Sequence, residues 1–157
     1  MAKQKKKGRV TEKLPSILTG ENDPVLRHRT FEVKDFENIG DLVKLMFRKL
    51  QQTRGVGLAA NQVGRSERVF VYEIGSDRGY FINPTLEAVG DSYVIASEGC
   101  LSLPHLGDQM VSRPKTATVS GFTRHNSPIL VRAEGMLARV FVHEMEHLEG
   151  GLYIDQL

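Results

Sequence analysis

Apolar and polar positions follow three rhythms along this chain. Ile39, Leu42, Val43, Met46, Phe47 and Leu50 recur at helical spacing, with Asp41, Lys44, Arg48 and Lys49 on the opposite side. That pattern predicts an amphipathic helix. From Arg68 onward the rhythm shortens: "RVFVYEIG", "GYFINP", "TLEAVG" and "SYVIAS" are short β-branched or aromatic runs broken by turn residues, and they predict an antiparallel meander. "LPHLGDQMVSRP", holding Pro104 and Pro114, reads as a loop, and "KTATVSGFTRHNSPILVRAE" as a hairpin turning at His125-Asn126-Ser127-Pro128.

The third rhythm is helical again, from about Glu134 to Glu149, with Gly150-Gly151 as its stop. Leu137, Val140, Phe141 and Leu148 are apolar, Met136, Val142 and Met145 widen the apolar surface, and only Arg139, Glu146 and Glu149 form a narrow polar stripe. Such a helix is largely buried. The expected class is α+β: antiparallel strands packed around a central buried helix, preceded by an N-terminal helix. Ahead of both, "ILTGENDPVLRHRTFEV" reads as a loop turning at Asp23-Pro24.

Composition narrows the setting. The chain has 157 residues and a formal charge of +2, with 40% hydrophobic and 25% charged residues, which is the make-up of one soluble domain with a real core. Much of the basic excess sits in "MAKQKKKGR", so residues 1–12 are expected to form a flexible basic tail and residues 13–157 a single catalytic domain. No apolar run approaches the roughly 18 residues of a membrane span, and the N-terminus lacks a secretory segment, so a cytoplasmic protein without membrane or DNA partners is expected. The lysine cluster offers phosphate contacts, which points to the ribosome as a partner for the tail. A single cysteine, Cys100, excludes an internal disulfide.

Chemistry concentrates in "HEMEH". His143 and His147, four apart on a helix, present both imidazoles to one cation, and Glu144 beside the first reaches water on it. A third ligand is needed. In the zinc-protease pattern H-E-x-x-H-x-x-G-x-x-H the last position here is Tyr153, and the chain ends at Leu157, so the ligand comes from upstream. Cys100 is the best candidate, since a thiolate with two imidazoles suits a soft or borderline dication; His105 is the runner-up.

"GVGLAANQ", "EGCLSLP" and "HEMEH" together resemble the three motifs of the peptide deformylases, G-x-G-L-A-A-x-Q, E-G-C-L-S and H-E-x-D-H. The resemblance spans about Ile17 to Asp155. It implies that Cys100, His143 and His147 hold the metal, natively Fe2+, with Zn2+, Ni2+ or Co2+ able to occupy the site. It implies Glu144 as general base and acid, and the Gln62 amide with the Leu101 backbone N–H as donors to the oxyanion. Gly57 would let a substrate backbone approach and pair like an added strand, Val56 would line the mouth, and Met136 and Val140 would wall a methionine pocket. The implied activity is removal of the formyl group from formylmethionyl nascent peptides, with release of formate. A small metallopeptidase and a catalytically silent formyl-peptide binder are the alternatives.

Two positions depart from the family's pattern: Glu146 stands for the usual aspartate, and Val142 where many members carry glutamine. If residue 146 pairs with Arg113, the extra methylene is expected to loosen support of the ligands. Many bacterial members also continue into a further helix after the position of Leu157, so a ribosome contact made by that helix is expected to be missing or replaced by the lysine tail.

Overall fold

A computed structural model describes residues 13–157, so the basic tail lies outside the described residues. Helix α1 spans Ile39–Gln51 and buries all six residues of its apolar stripe. Strands β1 (Gly57–Ala59), β2 (Val69–Ile74) and β3 (Asp77–Val89) follow, with a 3-10 turn at Ala60–Val63 between the first two. Then come β4 (Tyr93–Glu98), β5 (Gln109–Pro114), β6 (Thr116–Phe122), β7 (Pro128–Glu134) and helix α2 (Gly135–Leu148). A 3-10 turn at Tyr153–Gln156 follows α2. The α+β class with two helices, the second buried, holds.

Five strands form one antiparallel sheet in the order β1-β2-β3-β6-β7, and β4 pairs with β5 alone in a separate ribbon. The meander therefore needs correction. "GYFINP" and "TLEAV" are one long strand, bent where Asn83 adopts φ 51° and the register shifts between Ile82 and Thr85. Pro84 sits in that irregularity, where a missing N–H costs no ladder bond. "SYVIAS" leaves the sheet, and the supposed loop "LPHLGDQMVSRP" supplies its partner β5 after a 3-10 turn at Pro104–Leu106.

The α2 helix lies across the sheet. Phe141 packs into Phe70, Tyr72 and Phe81, with ring centroids 5.0 to 5.8 Å away. Its end is held on several sides. Gly150 at φ 79° places its N–H on the His147 carbonyl and that of Gly151 on the Glu146 carbonyl, the paired bonds of a left-handed helix stop. A side chain at Gly150 would also strike the Arg27 carbonyl, 2.6 Å from a Cβ. The Leu148 carbonyl accepts from both N–H and hydroxyl of Thr30, each at 2.9 Å, and the His147 carbonyl accepts from Asn61 Nδ2 at 2.6 Å. These bonds fix the two histidines relative to β1 and the segment after it.

Candidate active site

The three donor atoms meet. Cys100 Sγ lies 3.3 Å from His147 Nε2, which lies 3.2 Å from His143 Nε2, and all three fall within 4.8 Å of one another. Among the described residues they are the one group of three or more such side chains able to hold a metal ion. His105 is elsewhere, half exposed and 3.1 Å from Glu21, which removes it as a ligand candidate. Tyr153, at the place of a third protease histidine, stacks on His143 at 6.0 Å and donates its hydroxyl to the Gly107 carbonyl.

Burial pulls His143 down, but hydrogen bonds with Cys100 and Glu98 outweigh it and hold the ring protonated up to about 10. His147 is driven well below the ordinary imidazole range, first by burial and then by the charge of His143. Both Nε2 atoms thus face one spot, with His143 the ring that holds a proton and His147 the ring that resists one. A thiol and two imidazoles converging this way fit a divalent cation, which would take that proton's place.

Glu144 is buried beside them, and its Oε2 meets no hydrogen-bond partner among the described residues. Burial drives its carboxyl up to about 7, with His143 opposing and Glu98 adding to the rise. Its other oxygen is packed against β1: a Cβ on Gly57 would stand 2.5 Å from Glu144 Oε1 and 2.9 Å from Val140 Cγ1. Gly57 therefore serves the carboxylate as well as any approaching peptide.

Gln62 is set by its own loop. The Ala59 N–H donates to its Oε1 at 2.9 Å, which turns Nε2 toward Ser102 Oγ at 3.0 Å and Cys100 Sγ at 4.0 Å. The turn after the cysteine closes through the Leu103 N–H to the Cys100 carbonyl at 3.0 Å, a bond that leaves the Leu101 N–H outside it. A cavity of about 360 Å³ opens over these groups, lined by Gly57, Gln62, Cys100, Val140, His143 and Glu144, with exposed Val56 and Met136 at its rim.

The polar stripe of α2 holds what sequence reasoning missed. Glu98, two before the cysteine, accepts from His143 Nδ1 at 2.6 Å, from Arg113 at 2.7 and 3.1 Å, and from Arg139 at 2.8 Å. All four side chains are buried. Arg139 lies one helical turn before His143, the one signal that could have exposed it. Glu146 reaches Arg113 through both oxygens, at 2.5 and 2.9 Å, so the longer side chain keeps the pair instead of loosening it.

Comparison with known proteins matches the polypeptide deformylase family model to residues 16–157. The chain belongs to the polypeptide deformylase family. It is 45% identical over 141 residues to peptide deformylase 2 of Streptomyces coelicolor, covering 86% of this chain and 78% of that one. It is 41% identical over 140 residues to peptide deformylase 1 of Corynebacterium efficiens, covering 86% and 82%. The fold superimposes on the crystal structure of the Thermotoga maritima deformylase with a TM-score of 0.87 at 36% identity, over 92% of this chain and 98% of that one. A bacteriophage VP16T deformylase solved with actinonin gives 0.81 at 34%, over 87% and 98%. The chain is thus a metal-dependent hydrolase of the N-terminal formyl group on formylmethionyl peptides rather than a peptidase. No helix among the described residues is long and apolar enough to cross a membrane.

Proposed function

We propose that deformylation in this chain runs on Cys100, His143 and His147 as metal ligands, Glu144 as proton carrier, and Gln62 with the Leu101 N–H as oxyanion donors. The observation that carries the reading is the convergence of one sulfur and two Nε2 atoms beside a buried, unpartnered carboxylate. A divalent cation in that set supplies Lewis acidity for the formyl carbonyl and makes water a nucleophile near neutral pH. The chain's own groups do the rest.

The edge of β1 at Gly57 holds the substrate backbone as an added strand, and Val140 with Met136 and Val56 contacts the methionine side chain. Glu144 takes a proton from the attacking water and returns it to the departing amine nitrogen, the task of a carboxylate held beside the reacting atoms. The Gln62 Nε2 and Leu101 N–H donate to the oxygen of the tetrahedral intermediate, each worth about 3 kcal/mol of barrier. On the family resemblance we assign Fe2+ as the native ion, with Zn2+, Ni2+ and Co2+ as replacements, all of which a thiolate and two imidazoles can hold.

Formate release from formyl-Met-Ala-Ser under anaerobic conditions, with iron or nickel loaded and the metal content measured, tests the assignment. Loss of turnover in Glu144→Ala with the metal content unchanged is expected; unchanged turnover overturns it. We further assign the enzyme to the cytoplasm and the lysine-rich tail to contact with the ribosome, on charge alone. Unchanged ribosome co-sedimentation after deletion of residues 1 to 9 would remove that role.

A further inference from the structure

The β4–β5 ribbon carries large apolar side chains on its exposed face as well as on its packed one. Its register pairs Tyr93 with Pro114, Ile95 with Ser112 and Ser97 with Met110. Tyr93, Ile95, Ser97 and Met110 therefore share one face, and Val94, Ala96, Glu98, Val111 and Arg113 the other. The second face is the inner one, with Glu98, Val111 and Arg113 buried. On the outer face Tyr93 is 56%, Ile95 67% and Met110 62% exposed. A ribbon packed on one side ordinarily shows polar residues on the other. Scattered exposed apolar residues need no explanation, but these three are contiguous: Tyr93 and Ile95 are successive same-face positions, and Ile95 and Met110 are diagonal neighbours across the pair.

The same face runs into the active-site cavity. Ser97, the partner of Met110, lines that cavity, and so does Asp108, which accepts a hydrogen bond from the Ser97 hydroxyl at 3.2 Å. Outward from this rim the face continues to Ile95 and then Tyr93, about 7 Å per step. An extended peptide advances about 3.5 Å per residue. A peptide with its first side chain in the cavity that leaves past Ser97 would carry its third to sixth residues over the ribbon.

We infer that the outer face of the β4–β5 ribbon binds the continuation of the formylated substrate, an extended apolar stretch beginning about two residues after the formylmethionine. The inference rests on the reading of the cavity as the site for the formylmethionyl end. Its basis is the continuity between the cavity rim and the apolar face. Scale favours this occupant over a second copy: three side chains fall far short of the roughly 800 Å² per partner of a stable protein interface, yet they match a segment of three or four residues. An unfolded chain exposes apolar side chains of many shapes, and a face without charged groups takes them without reading sequence.

The test compares formyl-Met-Ala-Ser, formyl-Met-Ala-Leu-Val-Leu-Lys and formyl-Met-Ala-Ser-Gly-Ser-Lys on the metal-loaded enzyme and on its Ile95→Ser/Met110→Ser variant. For the wild type, KM for the apolar hexapeptide is expected to be about fivefold below that for the polar one. The double substitution is expected to erase that difference while turnover of the short peptide stays unchanged. Equal KM values in the wild type, or the same preference in the variant, overturn the inference. A dimer in sedimentation that the double substitution dissociates gives the face to a second copy and overturns it too. Absence of formate from every peptide overturns the reading of the cavity, and this inference with it.

Discussion

The Nδ1 of His143 lies 2.6 Å from Oε1 of Glu98, and both groups are buried. That bond fixes the ring so that Nε2 faces His147 and Cys100. Glu98→Gln keeps the shape but removes the charge that Arg113 and Arg139 also share. Metal affinity is expected to fall between about 10- and 100-fold, measured by chelator competition. Leaving two buried guanidiniums short of a carboxylate is expected to lower stability by about 3 kcal/mol, measured by urea unfolding.

Glu146 acts from further out. It pairs with Arg113 and touches no candidate ligand, and its side chain is 20% exposed. Glu146→Asp shortens the reach but leaves a carboxylate, so turnover within about twofold of wild type is expected. Glu146→Ala leaves the Arg113 Nη1 without its partner, and a cost of about 1 kcal/mol follows from one charged hydrogen-bonding group lost at a partly exposed site. Faster metal release to a chelator, at unchanged turnover under saturating metal, would mark support of the ligands rather than a part in the chemistry.

The helices and the histidine pair were legible because their signals are local, six apolar positions at helical spacing and two imidazoles one turn apart, and the cysteine beside them because the sequence holds only one. The ribbon was not. Ile95 and Tyr93 look like core-facing strand residues but face solvent, and the prolines at 104 and 114 disguised β5 as a loop, although Pro114 is only its last residue. The charged group around Glu98 was missed for a different reason. Arg139 and Glu146 read as a wet stripe, and only tertiary packing, which brings β4 and β5 against α2, turns that stripe inward.

Gly57 offers a sharp steric test. A methyl group there would stand 2.5 Å from Glu144 Oε1 and 2.9 Å from Val140 Cγ1, so the carboxylate and the valine would have to shift toward the cavity they line. Gly57→Ala is expected to cost about 1 to 3 kcal/mol of stability from overpacking. Displacing the proton carrier is expected to lower kcat by about 100-fold. Retained metal content with lost turnover would separate this effect from damage to the ligands.

Acid and alkali should act on the cation-free protein in an unusual sequence. Glu98 has a folded pKa of about 2 against 4.5 unfolded: burial alone would raise it, but hydrogen bonds from His143 and Arg113 prevail. Its contribution is present above pH 4.5 and is lost as pH falls toward 2. Glu144 runs the other way. Its folded value of about 7 exceeds 4.5, so the folded state binds more protons between them, and stability declines as pH rises through that window. His143, at about 10 against 6.5, continues the decline on the alkaline side. His147, held well below 6.5, works against Glu144: its folded form binds fewer protons, so its part in stability grows as pH rises toward 6.5, and the two groups pull the profile in opposite directions between pH 4.5 and 6.5. Glu144→Gln is expected to remove the loss between pH 4.5 and 7, on the order of 3 kcal/mol, in urea unfolding series. Loading the metal displaces the His143 proton, so the alkaline decline should vanish. Wild type and Glu144→Gln changing equally in unfolding midpoint between pH 4.5 and 7 would mean that Glu144 finds a partner for its charge without the cation.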